Sequence, residues 1–215
     1  MKLLSVNVGQ PRLVMAGENV VATSIFKEPV SGRVRLKKHN LDGDRQADLR
    51  VHGGRTKAVY VYPSEHYEFW RSEHPEMNLP FGMFGENFTT EGFDESEVFI
   101  GDLYRIGTAE VMVTEPRLPC FKLGIKFGRK DIIKRFMQSR RSGFYLSVEK
   151  EGEVGAGDEF ELLTRNETSV TIADIVRIYA FEKDDIETLQ RAVKIKVLPA
   201  GWKRGFQKQL KKFSG

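Results

Sequence analysis

Glycine and proline cut most of this chain into short pieces, and that spacing decides what the pieces can be. Leu3–Val8 reads as a strand and stops at Gly9-Gln10-Pro11. Val20–Phe26 stops before Pro29, and Ala58–Tyr62 ends at Pro63. Val98–Ile100, Leu103–Ile106 and Ala109–Val113 are separated by Gly101-Asp102 and Gly107. Gly143–Val148 and Asp158–Leu163 enclose Gly152, Gly155 and Gly157. Short β-rich runs bounded by turn residues are strands, and many of them in succession point to a barrel or sandwich rather than a doubly wound parallel sheet.

Two helices interrupt this pattern. Ser64 is placed to cap Glu65–Arg71, which ends by Pro75; Tyr67, Phe69 and Trp70 in it read as packing residues. A second runs through Arg129–Arg140, with Ile132, Ile133, Phe136 and Met137 at helical spacing. After residue 166 the character changes. Thr171, with Asp174 three residues on, has the form of a capping box opening Ile172–Glu182. Asp184 or Asp185 starts a second helix ending near Lys194, and Pro199 suits the first turn of a third through Trp202, Phe206 and Leu210. The expected division is therefore 1–165, rich in strands, and 166–215, a three-helix appendage.

A length of 215 residues suits one ordinary domain plus such an appendage. No apolar run approaches the ~20 residues of a membrane span, and the start lacks a basic segment followed by an apolar one. With one cysteine, the expectation is a protein of the reducing cytoplasm, without a membrane partner. Net charge is +4, but residues 168–215 carry ten Lys/Arg against five Asp/Glu, which leaves residues 1–167 at −1. The basic surplus belongs to the tail, which could face an acidic protein, nucleic acid or only solvent.

Cys120 lies in Val113-Thr-Glu-Pro-Arg117-Leu-Pro119-Cys120-Phe-Lys122. A lone cysteine can form neither an internal disulfide nor a four-cysteine zinc site. It can be a buried inert residue, a nucleophile, or one ligand to a soft metal. Arg117 and Lys122 would favour its thiolate if they point toward it. His39, His52, His66 and His74 are scattered, which argues against a histidine-based zinc centre. Two further segments stand out. In Asp48-Leu-Arg50-Val-His52-Gly53-Gly54-Arg-Thr-Lys57-Ala, paired glycines let backbone approach an anion, and Arg45, Arg50 and Lys57 add positive charge. In Gly85-Glu-Asn87-Phe-Thr-Thr90-Glu-Gly92, Asn87 can both donate and accept hydrogen bonds.

Taken in order, D-x-x-V-H-G-G-x-x-K-A, G-E-N-F-T-T-x-G and G-D-x-Y-x-I-G followed by P-R-x-P-C resemble the MOSC family, the domain named for the C-terminal part of molybdenum-cofactor sulfurases. The match runs over essentially the whole chain, opening at Val6-Asn-Val-Gly9-Gln-Pro11, and points to the bacterial YiiM-like branch with its three-helix extension. The resemblance implies a mainly β, α+β fold: a twisted β-barrel with peripheral helices, plus the small C-terminal helical domain. It implies a molybdopterin-type molybdenum cofactor whose metal is held by Cys120. Arg117, His52, Asn87, Arg45, Gly53, Gly54 and Lys57 are the expected cofactor-binding residues.

The implied activity is molybdenum-dependent reduction of N-hydroxylated compounds, 6-hydroxylaminopurine and related base analogues among them, as a detoxification. No segment resembles a flavin, haem or iron–sulfur site, so electrons are expected from an external flavoprotein or ferredoxin-type reductase, with the basic tail as its dock. A different reading makes Cys120 a persulfide carrier for cofactor or metal-cluster sulfuration. A third makes the tail a nucleic-acid module, but Trp202 and Phe206 fall at helical spacing, as core residues do, which disfavours it.

Overall fold

The structure, a computed structural model, describes residues 1–47, 53–166 and 170–213. Its main sheet has eight strands in the order β12-β8-β9-β10-β6-β7-β1-β4. These are β1 (Lys2–Val8), β4 (Glu28–Val30), β6 (Val59–Pro63), β7 (Phe88–Glu91), β8 (Leu103–Ile106), β9 (Ala109–Pro116), β10 (Phe144–Lys150) and β12 (Phe160–Thr164). Two ribbons stand apart: β2 (Arg12–Ala16) with β3 (Asn19–Thr23), and β5 (Val34–Leu36) with β11 (Gly152–Val154).

All ladders are antiparallel except β6–β7. A parallel pair cannot be joined by a hairpin and needs a crossover. Helix α1 (Glu65–Glu73) lies in that connection, and Tyr67 and Trp70 are buried as expected. Ser64 takes the N-cap position, but its hydroxyl makes no cap bond.

The sheet curls so that β1 and β12 meet through short contacts rather than a full ladder. The first residues of β1 meet the turn leading into β12 through a single bridge, Lys2 to Glu159. Leu3 N–H donates to Asp158 O and Phe160 N–H to Met1 O. The result is a large mixed sheet with helices around it.

Strand β6 is buried along its whole length, and period two explains how. Val59 and Val61 enter one apolar cluster, while Tyr60 and Tyr62 enter another on the opposite face. The first cluster fills the sheet's concave interior with residues such as Leu3, Val111, Phe144 and Leu146. It continues without a break into Ile172, Ile175 and Ile178 of α4 (Ile172–Ala180), Leu189 of α5 (Ile186–Lys194) and Phe206 of α6 (Ala200–Leu210). The second packs Tyr62, Tyr67, Trp70 and Phe84 against α2 (Phe121–Phe127) and α3 (Ile132–Ser139).

Several local expectations hold. Thr171 forms the full capping box with Asp174, and Asp185 caps α5 through its carboxylate. Others fail for physical reasons. Val98–Ile100 is no strand: Phe99 makes only one bridge, to Thr171. Helix α3 starts at Ile132 rather than Arg129, because Gly128 takes φ +67° and ends α2 there. Strands β5, β7 and β11, of three or four residues, are too short to read alone, and β2, between Pro11 and Gly17, is absent from the sequence reading; their partners supply the stability.

Candidate active site

A pocket opens where β6, β9 and β10 meet the start of α2. Pro116 ends β9, and Arg117-Leu118-Pro119 carries the chain to Cys120, the N-cap residue of α2. Cys120 is extended (φ −122°, ψ 168°), and its carbonyl accepts from Leu123 N–H at 2.9 Å. Helix α2 is absent from the sequence reading because it has only seven residues and Gly124 in its middle. That glycine permits close packing: a Cβ there would lie 3.2 Å from Arg129 O. Cys120 is half-buried and lines the pocket.

Four cations line the same pocket, namely Lys27, Lys57, Arg117 and Lys122, and no carboxylate does among the described lining residues. Arg117 is the least expected, because it is buried and makes no ion pair among the described residues. Its guanidinium lies 4.5 Å from the Tyr60 ring centroid, donates to Phe84 O, and is coupled electrostatically to Tyr60, Tyr145 and Cys120. Burial works against its charge, but those neighbours hold it protonated, above the usual arginine range. Lys27 pairs with the buried Asp44; burial still depresses its pKa. Behind the wall, Lys126 donates to Gly82 O (2.6 Å) and Ile25 O (3.1 Å), and burial brings it down to about 8.

Two of these carbonyls, Gly82 O and Phe84 O, belong to one turn, which Glu86 organises. Its carboxylate accepts from Gly82 N–H (2.7 Å), Phe84 N–H (3.0 Å), Thr89 hydroxyl (2.9 Å) and the Tyr67 hydroxyl. Gly82 and Gly85 sit at positive φ, with Cβ positions that would strike Lys27 O and Ile25. Only glycine lets this turn press against the 25–27 segment.

One buried hydroxyl in the pocket has no partner among the described residues. Ser24 is 8% exposed, lines the pocket, and its hydroxyl makes no hydrogen bond to any described residue. A buried unpaired hydroxyl costs roughly 1–3 kcal/mol, so its persistence here calls for a ligand or water to satisfy it. On the opposite wall burial pushes Tyr145 up to about 12, which keeps its hydroxyl a neutral donor.

The structure brings Cys120, Arg117, Asn87, Gly53 and Lys57 together around this pocket. The Asn87 amide is spent on the protein itself: it donates to Asp44 (3.0 Å) and Asn7 O (3.3 Å) and accepts from Tyr60 N–H (3.1 Å). Its role is to hold Asp44, and through it Lys27. Arg45 and Gly54 are exposed and do not line the pocket; Arg45 is held by its backbone N–H to Gly9 O. Gly54, at φ +89°, precedes the 3-10 turn that carries Lys57. His52 and Arg50 lie outside the described residues. Sequence reading missed Ser24, Lys27 and Tyr145, which come from segments without a motif. The only trace of Lys27 is a cation between Ile25-Phe26 and Pro29.

This fold and pocket define a class. Residues 48–161 match the MOSC domain and residues 170–213 the YiiM-like 3-alpha helix domain. The chain belongs to the MOSC domain family. Within that family it falls in the YiiM-like branch: the crystal structure of YiiM from Geobacillus stearothermophilus superposes with a TM-score of 0.81 at 34% identity, covering 97% of this chain and 98% of that one. The chain is 39% identical over 207 residues to YflK of Bacillus subtilis, covering 96% of this chain and 93% of that protein. It is also 34% identical over 180 residues to a protein of Gibberella moniliformis named a reductase, covering 82% of this chain and 32% of that protein.

Proposed function

We propose that this protein is a molybdenum-cofactor-dependent reductase of N-hydroxylated compounds, with hydroxylaminopurines as its substrate class. The observation that carries the reading is a lone cysteine thiol facing a pocket lined by four cations and no described carboxylate, beside an unpartnered hydroxyl. Such a donor set fits a molybdopterin-type cofactor. The sulfur is a soft ligand, and the cationic lining matches an anion bearing a phosphate; Lys27 and Lys57 each keep a carboxylate partner behind the wall, Asp44 and Glu115, while Arg117 has none among the described residues.

Cys120 would ligate the metal, while Lys27, Lys57 and Arg117 would balance the cofactor's negative charge. Ser24 would donate to one of its oxygens. Bound there, the cofactor would supply two-electron removal of oxygen from an N–OH group. The substrate would take up two electrons and two protons and leave as the N–H compound and water. Tyr145, kept neutral by burial at the pocket wall, would donate a hydrogen bond to the substrate's oxygen. Electrons would come from an external donor protein, for which the basic tail is the candidate dock. The name of the Gibberella relative agrees with an oxidoreductase.

The test is metal analysis of protein made in a host that synthesises the cofactor. Native protein should carry stoichiometric molybdenum and reduce 6-hydroxylaminopurine with a viologen donor. Cys120→Ser should lose both while its melting temperature stays within a few degrees. Full molybdenum content in that variant would sink the ligand assignment, and a metal-free native protein would sink the whole reading.

A further inference from the structure

A second cavity, of about 780 Å³, lies between α6, the end of α4 and the 53–57 segment, and joins the Cys120 pocket through Gly53 and Lys57, which line both. Its wall is aromatic: Tyr179 is 44% and Phe213 46% exposed, and Trp202 stands against Tyr179 with ring centroids 5.1 Å apart. Its charge is one-sided. Lys57, Lys183, Lys208 and Lys212 line it, and the single lining carboxylate, Glu115, accepts Trp202 Nε1–H at 2.8 Å and Thr56 hydroxyl at 3.1 Å and pairs with Lys57 at 3.7 Å, which leaves Lys183, Lys208 and Lys212 without a carboxylate among the described lining residues.

Helix α6 presents Gly201, Gly205 and Lys208 to this cavity, and Lys212 follows in the turn just beyond its end. A Cβ at either glycine would meet nothing within 4 Å, so neither is required by packing. Glycine inside a helix costs roughly 0.5–1 kcal/mol relative to alanine. The bare backbone widens the groove beside Trp202. Lys208 stands about 9 Å further along the axis, at 1.5 Å rise per residue.

We propose that this groove is a subsite for the sugar-phosphate portion of the substrate, so that the protein acts on nucleoside phosphates rather than on the bare base. The base enters past Gly53 and Lys57 toward Cys120, with its ring against the aromatic wall, and the phosphate rests on Lys208 and Lys212. Aromatic rings and ammonium groups in one groove match a planar base joined to an anion, and the spacing from Trp202 to Lys208 suits a nucleoside phosphate. That the base is N-hydroxylated rests on the function proposed above; the groove's selectivity for a nucleoside phosphate does not.

Binding can therefore be tested without cofactor or turnover. Of the two tryptophans, Trp70 is fully buried, so quenching by an added ligand reports on Trp202. Adenosine 5′-monophosphate, titrated into the full-length cofactor-free protein, should quench at a concentration at least tenfold lower than adenosine. The double variant Lys208→Glu/Lys212→Glu should weaken the monophosphate at least tenfold and leave adenosine unchanged. Gly205→Leu, which fills the groove, should weaken both, with folding checked by circular dichroism. With loaded enzyme and a viologen donor, the double variant should raise KM for the hydroxylaminopurine nucleotide at unchanged kcat, and leave the free base unaffected. Equal binding of the two probes, or indifference of the monophosphate to charge reversal, would overturn the subsite. So would a double variant that loses turnover only with a protein donor, since these lysines would then be the reductase dock. If the monophosphate binds as described while no N–OH compound is reduced, the subsite stands and the function proposed above fails.

Discussion

Arg117 carries two jobs that ordinary truncation cannot separate. It fills space against Tyr60 and satisfies Phe84 O, and it also supplies charge beside Cys120. Arg117→Ala should cost roughly 2–4 kcal/mol, because it opens a cavity and strands a carbonyl. Arg117→Met keeps most of the volume, so its cost is mainly that of the stranded Phe84 carbonyl, about 1–3 kcal/mol. We expect the methionine variant to melt above the alanine variant yet lose as much of its molybdenum; retention of the metal would show that the charge serves packing alone. Lys126 gives a second prediction, in pH. Its folded pKa of about 8 lies below the ordinary 10.5. Between those values the unfolded chain holds a proton that the folded one has lost, so stability from this group rises with pH across that window. Below pH 8 the penalty of burying the charge is fully present. Denaturant midpoints of Lys126→Met against native protein from pH 7 to 10 should show that rise in the native protein only. Parallel curves would mean that Lys126 titrates normally.

At the scale of elements, α6 reads as an amphipathic helix whose apolar stripe, Trp202, Phe206 and Leu210, meets the core, as its spacing indicates. What the spacing could not reveal is the opposite use of Gly205. With open space around its missing side chain, Gly205→Ala should raise stability by roughly 0.5–1 kcal/mol, read as a shift in the urea midpoint at constant m-value. A loss of stability would mean that the position is crowded and the groove narrower than described. The capping box at Thr171 and the cap at Asp185 were legible because a few neighbouring residues determine them. Helix α2 and strand β7 were not. Seven and four residues carry too little periodic signal, and each is stabilised by distant partners: α2 by the Tyr60–Phe136 cluster, β7 by β1 and β6.

Across the whole molecule, one core runs from the sheet interior into α4, α5 and α6. Backbone bonds join the same parts: Ile100 N–H to Val170 O, Ile172 N–H to Val98 O, and Ala173 N–H to Glu95 O. The Trp202–Glu115 hydrogen bond ties α6 to the strand that leads to Cys120. A chain ended at residue 166 would leave one side of that core in water. We expect it to lose the sharp thermal transition of the full-length protein and to bind a hydrophobic dye. A two-state transition within a few degrees of the native one would instead show that the sheet completes its own core.

The sequence alone determined the strand-rich body, the three tail helices with their caps, the family and the lone thiol. These follow from turn residues, short-range hydrogen bonds and motifs contiguous in the chain. Only the tertiary structure decided which cations face Cys120. Lys27 comes from the segment after β3, Lys57 from a 3-10 turn, Arg117 from just past the end of β9, and Lys122 from the first turn of α2. No sequence period links them. They meet because glycines at 82 and 85 let one turn close on the 25–27 segment, and because a buried carboxylate, Glu86, holds that turn in shape.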